Sequence, residues 1–291
     1  MTIIDTPKAM REWSLKQKVA GKTIGCVPTM GALHEGHTSL ARASVEVCDV
    51  TVLTIFVNPA QFAPHEDFDQ YPRTFVADCN IADKVGVDAI YAPKASAMYP
   101  KNYATYVEVE RLQDGMCGGT RSHFFKGVAT VVTKLFNAVM PDKAFFGLKE
   151  GQQITVIKRM VRDLDMGVEI VGMSTVREED GLAMSSRNQY LSPAERERAL
   201  CISKALFAAV DMMERGEDDA RLIVETVRSA LGDVEVDYVS LVDGDEMTPV
   251  DHVDGPVMLA IAAMVGKTRL IDNIRFDPSD VSELYTFAIE V

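Results

Sequence analysis

The sequence predicts an α/β fold, a Rossmann-like parallel sheet domain over residues 1–175 followed by a smaller C-terminal α+β domain over residues 176–291. Three observations predict it. Short β-branched runs alternate with helical patterns through the first part of the chain, which implies right-handed βαβ units and a mostly parallel sheet. From about residue 176 the order changes to two helices and then consecutive strands joined by Asp/Gly turns. The 291 residues, 47% hydrophobic and 25% charged, fit one large domain or two ordinary ones with a substantial core.

Taken in order, Lys8 to Ala20 has the spacing of an amphipathic helix, with Met10, Trp13 and Leu15 turned to the core. Lys22 to Val27 reads as a short buried strand and Leu40 to Val47 as a helix. Between them Pro28 to Leu40 holds two glycines and His34 and His37 at a strand-to-helix passage, where an open sheet offers a ligand crevice and free helix N-terminal N–H groups. Val50 to Val57 is nearly continuous in β-branched residues, as in a strand buried on both faces. It ends at Asn58-Pro59-Ala60-Gln61-Phe62, which reads either as a plain turn or as polar groups aimed at the crevice.

Phe75 to Val85 then reads as a helix, and Val87 to Ala92 and Tyr103 to Val109 as strands. Gly115 to Gly127, with Arg121, His123 and Lys126, reads as a Gly-rich loop. Val128 to Met140 is a helix by its apolar period, ended by Pro141. Lys143 to Gly147 is a strand, Leu148 to Gln153 opens a helix reaching about Asp165, and Val168 to Met173 is the next strand. No G-x-G-x-x-G follows the first strand, so a dinucleotide oxidoreductase is unsupported. Ser192-Pro193-Ala194-Glu195 starts a helix with Pro at its first position and Glu at its third. That helix runs to about Gly216, and a second covers Asp218 to Leu231. Val234 to Val242, Val257 to Met264 and Thr268 to Phe276 complete the chain as strands.

A net charge of −13 disfavours extended nucleic-acid binding, though a local cluster of Lys, Arg and His can still hold a small anion. Cys26, Cys48, Cys79, Cys117 and Cys201 contain no C-x-x-C pair, so neither a zinc ribbon nor a disulfide framework is indicated. Scattered thiols fit a reducing compartment. Met1 to Asp5 has no signal-peptide character, and Val257 to Val265 is too short to span a bilayer. A cytoplasmic protein without membrane partners is expected.

His34 and His37 are open to three readings: a metal site, a pair of core histidines, or phosphate contact. Zinc would need further ligands that nothing nearby supplies. Phosphate contact is better motivated, because imidazoles at a helix N-terminus can donate to phosphoryl oxygens as charge builds. Lys149 sits at another strand-to-helix junction, and Ser185-Ser186-Arg187 offers two hydroxyls and a guanidinium in succession. Together these segments resemble the nucleotidyl-transferring α/β superfamily marked by H-x-G-H.

The resemblance is closer still to the pantothenate synthetase (pantoate–β-alanine ligase) family. It rests on Pro28-Thr29-Met30-Gly31-Ala32-Leu33-His34-Glu35-Gly36-His37, Phe56-Val57-Asn58-Pro59-Ala60-Gln61-Phe62, Tyr71-Pro72-Arg73-Thr74, Gly127-Val128-Ala129-Thr130-Val131-Val132, Phe146-Gly147 with Lys149 and Gln152-Gln153, and Ser185-Ser186-Arg187-Asn188. The C-terminal third matches in length and pattern only. The resemblance implies condensation of pantoate with β-alanine, driven by ATP with Mg²⁺, through a pantoyl adenylate. By the same resemblance, Met30, Gly31, Ala32, Leu33, His34, Glu35, Gly36 and His37 hold ATP, together with Gly147, Leu148, Lys149, Glu150, Val176, Met184, Ser185, Ser186 and Arg187. His37 is the family's proton donor, with His34 and Lys149 beside it in stabilising phosphoryl charge. Gln61 is implied to bind pantoate and β-alanine, and Gln153 to bind pantoate. A homodimer is implied, as is a second domain that covers the cleft.

The chain departs from the family pattern at a few positions. Leu148 and Glu150 stand where the family usually has Glu and Asp, Phe124 where it has His, and Thr38 where it has Leu. Three other readings compete: a different H-x-G-H nucleotidyltransferase, a fragment of a class I aminoacyl-tRNA synthetase, and a nucleotide-binding paralogue without ligase turnover. The paired Gln61 and Gln153 suit a small hydroxy acid, and the net charge is wrong for tRNA.

Overall fold

The computed structural model describes residues 1–63, 66–121 and 123–279. It divides into two compact units. The first comprises Met1–Gln113, Arg121–Gly147 and Gln153–Met173; the second comprises Asp114–Thr120, Leu148–Gln152 and the chain from Ser174.

The first unit is built on a six-stranded parallel sheet. Its strands are β1 (Thr2–Ile4), β2 (Ile24–Thr29), β3 (Val50–Ile55), β4 (Ala89–Tyr91), β5 (Lys143–Gly147) and β6 (Glu169–Met173). Their order across the sheet is β1-β4-β3-β2-β5-β6. The order reverses between β2 and β5, so the ligand crevice of such a sheet lies outside the carboxyl ends of those two strands. Gly25 pairs with Lys143 and Cys26 with Ala144 across that junction. The two chain segments that leave the sheet there begin at Met30 and Leu148.

The helices of this unit are α1 (Pro7–Val19), α2 (Glu35–Val47), α3 (Phe75–Val85), the short α4 (Ala95–Met98), α6 (Phe124–Val139) and most of α7 (Gly151–Asp163). A five-residue helix of the second unit, α5 (Met116–Thr120), precedes α6 in the chain. In α6, Val128, Val131, Val132, Leu135, Phe136 and Val139 are all buried. At roughly 1.5–3 kcal/mol for each large apolar side chain removed from water, this is a major stabilising face. The left-handed Met140 and then Pro141 end the helix.

Three expectations from the sequence need correction, and one strand was missed. β1 was not foreseen; three residues are too few to show a period. Tyr103 to Val109 forms no strand, and Val107 N–H is instead donated to Thr130 Oγ1 at 3.0 Å. The stretch from Gly115 to Gly127 is not all loop, since it contains α5 and the first turn of α6. Leu15 faces outward at 43% exposure, whereas Met10 is fully buried.

The second unit packs α8 (Pro193–Glu214) and α9 (Ala220–Ala230) with an antiparallel sheet of β7 (Glu235–Asp243), β8 (Val257–Val265) and β9 (Thr268–Phe276), in the order β7-β8-β9. Central β8 is apolar throughout because both its faces are covered; Leu259, Ile261, Ala263 and Val265 join Leu206, Ile223 and Val227 in one core. Ser192 and Glu195 form the expected capping box at the start of α8, Ser192 N–H donating to Glu195 Oε2 at 2.8 Å. Among the described residues no helix is long and apolar enough to cross a membrane.

Candidate active site

The stretch from Met30 to His37 leaves β2 through two consecutive left-handed residues, Gly31 at φ 84° and Ala32 at φ 50°. Its backbone N–H groups are largely spoken for by the protein itself. Gly31 N–H is donated to Thr29 Oγ1 at 3.1 Å, and Ala32 and Leu33 N–H to the two oxygens of Asp78 at 3.1 and 2.9 Å. His34 N–H is donated to His37 Nδ1 at 3.3 Å. The N–H groups of residues 31 to 34 are therefore taken up within the protein itself. The imidazoles, rather than these N–H groups, are what the loop can turn to a ligand.

His34 is the residue before α2, and its carbonyl accepts from the N–H groups of His37 and Thr38 at 2.8 and 3.0 Å. The two rings lie 4.0 Å apart at an interplanar angle of 36°. A ring nitrogen that accepts an N–H is the bare one, so neutral His37 carries its proton on Nε2 and presents a donor on the side away from the backbone. A Cβ on Gly36 would lie 3.0 Å from His34 Cε1, so any larger residue there would have to shift the His34 ring by a few tenths of an ångström. Glu35 points the other way: its carboxylate accepts from Thr38 Oγ1 at 2.8 Å and pairs with Arg42. Thr38 thus has a local hydrogen-bonding role that a leucine would lack.

The segment after β3 folds as a 3₁₀ turn, Pro59–Gln61, with Asn58 capping it. Asn58 is buried and all its hydrogen-bonding capacity is used. Its Nδ2 donates to Gln61 Oε1 and to Gly127 O, both at 3.1 Å, and its Oδ1 accepts from Tyr99 Oη at 2.8 Å and from Ala60 N–H at 3.2 Å. This fixes the Gln61 carboxamide with its oxygen turned inward. The Nε2 side is then the donor end, 3.2 Å from Met30 Sδ and so beside the histidine loop. Such an arrangement offers N–H to an oxygen-rich ligand next to the imidazoles. Burial raises the Tyr99 hydroxyl well above its ordinary value, so it stays a donor to Asn58.

Arg121 clamps the same turn from the other side. Its guanidinium makes two 2.6 Å bonds to the Glu66 carboxylate and donates to Gln61 O at 3.1 Å. It lies 4.0 Å above the Phe124 ring. Burial pushes the Glu66 carboxyl upward, but the hydrogen bonds and charge of Arg121 outweigh it, so the group titrates below its ordinary value. A depressed folded value gives stability that is present above about pH 4.3, the ordinary Glu value, and lost as pH falls through the folded one. Thermal melts should therefore show wild type well above Glu66→Gln at neutral pH, the gap narrowing once pH falls below the ordinary Glu value and closing as it passes through the depressed folded one. A pH-independent gap would count against the ion pair as its source.

In the second unit, Leu148–Glu150 forms a 3₁₀ turn whose carbonyls at Leu148 and Lys149 accept from Asn273 Nδ2 at 3.0 and 2.7 Å. Lys149 Nζ lies 3.3 Å from Glu150 Oε1. Leu148 is half-buried and supplies only its backbone to this network. Gln152 is bound up internally, donating to Gly115 O at 3.0 Å and accepting from Cys117 N–H at 3.1 Å, whereas Gln153 is only half-buried.

Val176 O accepts from Met184 N–H at 3.0 Å, closing a narrow turn. Arg177 holds that turn through a buried pair with Asp272 at 2.6 and 3.1 Å and a bond to Gly181 O at 3.2 Å. Ser185 Oγ accepts from Arg187 N–H at 3.3 Å and so caps the 3₁₀ turn Ser186–Tyr190. Asn188 anchors that turn from beneath, donating to Glu178 at 2.6 Å and to Ala183 O at 3.1 Å. Met184 to Arg187 is thus a braced platform.

Among the described residues no group of three or more His, Cys, Asp or Glu is placed to hold a metal ion.

The family model of pantoate–β-alanine ligase matches residues 2–275. The chain belongs to that family. A pantothenate synthetase from Sulfurihydrogenibium sp. is 52% identical over 280 residues, covering 95% of this chain and 100% of that protein. A crystal structure of pantothenate synthetase from Thermus thermophilus superposes with a TM-score of 0.88 at 38% identity, covering 94% of this chain and 99% of that one. A pantoate–β-alanine ligase from Francisella tularensis, solved in complex with β-γ ATP and β-alanine, gives a TM-score of 0.77 at 30% identity over 96% of this chain and 98% of that one.

Against the family pattern, Phe124 is buried and serves as the platform for Arg121, while His123 is the residue that precedes α6. Ser122 lies outside the described residues. Asp78, Tyr99, Arg121, Arg177 and Asn188 were not singled out as site residues from the sequence. Thr74 four residues before Asp78, and Asn188 directly after Ser185-Ser186-Arg187, were the available signals.

Proposed function

We propose that this protein condenses pantoate with β-alanine at the expense of ATP. The observation that carries the reading is the family match over residues 2–275, supported by an H-x-G-H segment in which His37 Nδ1 accepts from His34 N–H, so that the proton of the neutral ring sits on Nε2. A carboxylate is a poor acyl donor. Its oxygen attacks the α-phosphorus of ATP, the bond to pyrophosphate breaks, and a pantoyl adenylate forms. The β-alanine amine then attacks the acyl carbon, AMP departs with the C–O bonding pair, and the amine loses a proton.

Each proposed role follows from the chemistry of its group. His37, with His34 and Lys149, stabilises charge on the phosphoryl oxygens as pyrophosphate leaves. Met30 to His37, Gly147 to Glu150, Val176 and Met184 to Arg187 are the ATP contacts; Gly147, Leu148 and Val176 need supply only backbone or surface, whereas Lys149 and Arg187 supply positive charge. Gln61 and Gln153 hold pantoate, and Gln61 also serves β-alanine: the Gln61 Nε2 end can donate to carboxylate or hydroxyl oxygens, and the Gln153 carboxamide can donate to pantoate oxygens and accept from its hydroxyls. Mg²⁺ would travel with the triphosphate and offset its charge. A cytoplasmic homodimer completes the reading.

The test is to incubate the protein with ATP, Mg²⁺ and pantoate, with and without β-alanine, and to assay pyrophosphate and AMP separately. Pyrophosphate that depends on pantoate, and AMP release that depends on β-alanine, is the expected pattern. Pyrophosphate without pantoate would favour another transferase of the H-x-G-H kind. No turnover of ATP by well-folded protein would favour a paralogue that binds nucleotide only.

A further inference from the structure

The Tyr71-Pro72-Arg73-Thr74 segment carries part of the family resemblance but none of the roles above. We infer that Thr74 and Asp78 are positioning residues for the nucleotide loop, holding Met30 to His37 in the shape that aims the imidazoles. The inference rests on the ATP reading of that loop. Asp78, in the first turn of α3, is 1% exposed. Its Oδ2 accepts from Ala32 N–H at 3.1 Å and its Oδ1 from Leu33 N–H at 2.9 Å. Thr74 Oγ1 lies 3.1 Å from both oxygens and donates to the carboxylate from below. Arg73, in turn, fastens the entry to α3 by donating to the carbonyls of Phe68, Asp69 and Tyr71.

The coupling runs in both directions. A carboxylate this deeply buried is tolerated only when hydrogen-bond donors match its charge. Here the donors are the loop's own N–H groups and one hydroxyl. The loop in turn must pass through two left-handed residues, one of them the non-glycine Ala32, a conformation that persists only when the surroundings impose it. Asp78 also sits where a side chain on residue 31 would go, since a Cβ there would lie 3.0 Å from its Oδ2. Directly after the bonded N–H groups comes the His34 N–H to His37 Nδ1 bond that sets the tautomer. Releasing the carboxylate frees the backbone that leads into that bond. Asp78 itself needs no contact with substrate for this.

The experiment compares full-length wild type, Asp78→Asn and Thr74→Val. Each substrate is varied in steady state, and a non-hydrolysable ATP analogue is titrated directly. Asp78→Asn should raise the KM for ATP and the Kd for the analogue about tenfold, the scale of one lost bond to a charged acceptor. The constants for pantoate and β-alanine should stay within about twofold. Thr74→Val should raise the ATP constants about threefold, and the double variant should be no worse than Asp78→Asn, because both act on one carboxylate. Equal rises for all three substrates, or unmoved ATP constants, would overturn the inference. Thr74 is exposed, so its variant decides the matter even if Asp78→Asn does not fold. Wild type that binds the analogue without turnover would count against the ligase reading, while the analogue titration still decides the role of Thr74 and Asp78.

Discussion

His37→Ala is expected to lower pantoate-dependent pyrophosphate release by about 10²–10³-fold, the loss found when one preorganised donor to a developing oxyanion is removed. The expected energetic scale is about 3–4 kcal/mol in the transition state, with little change in the melting temperature. Alanine also strips the acceptor from His34 N–H, so a second variant separates the two roles. In His37→Asn the side-chain oxygen sits near the place of Nδ1 and can keep the 3.3 Å bond from His34, but nothing replaces the outward Nε2–H. If the outward donor carries the chemistry, His37→Asn should be nearly as slow as His37→Ala. An asparagine variant close to wild type would instead reduce His37 to a support for the loop.

Gly127→Ala is expected to be the most damaging single change to the first unit outside the histidines. The first turn of α6 passes so close to the Pro59–Gln61 turn that an added Cβ would lie 2.3 Å from Ala60 O and 2.8 Å from Gln61 N. Both neighbours are backbone, so neither can swing aside. Overpacking of this kind costs about 3 kcal/mol. Any relief comes from pushing the turn away, which breaks the 3.1 Å bond from Asn58 to Gly127 O and with it the orientation of the Gln61 amide. A drop of several degrees in the melting temperature should accompany a large rise in the KM for pantoate. Unchanged melting and kinetics would mean that the contact between α6 and this turn has slack.

Much of this was legible in the sequence, and for definite reasons. β3 is Val50-Thr51-Val52-Leu53-Thr54-Ile55, and a β-branched run of that kind has few alternatives once both faces are buried. The alternation of strands and helices predicted the class of sheet, and His34 and His37 were placed at the strand-to-helix passage that β2 and α2 form. The misses share a physical cause. β1 and α5 are too short to display a period, and Tyr103 to Val109 alternates like a strand but satisfies Val107 N–H on a threonine side chain. The use of the loop's N–H groups by Asp78 was hidden for another reason: the bond spans 46 residues in the chain, and nothing local to Ala32 reports it. The same holds for Arg121 and Gln61, 60 residues apart. Sequence pattern reads periodicity and local turns well, but a side chain that reaches another segment's backbone leaves no periodic trace.

A loop whose N–H groups from Gly31 to His34 are already satisfied has little conformational freedom left to surrender. Ordering backbone costs about 1–2 kcal/mol per residue, and here that cost falls on folding rather than on nucleotide capture. On the proposed reading of this loop as a nucleotide contact, affinity there is set by the contacts themselves and not diluted by induced ordering. The corollary concerns engineering. Substitutions that loosen the loop, even conservative ones beneath it, should appear as an unfavourable binding entropy in calorimetry before they appear as a lost contact.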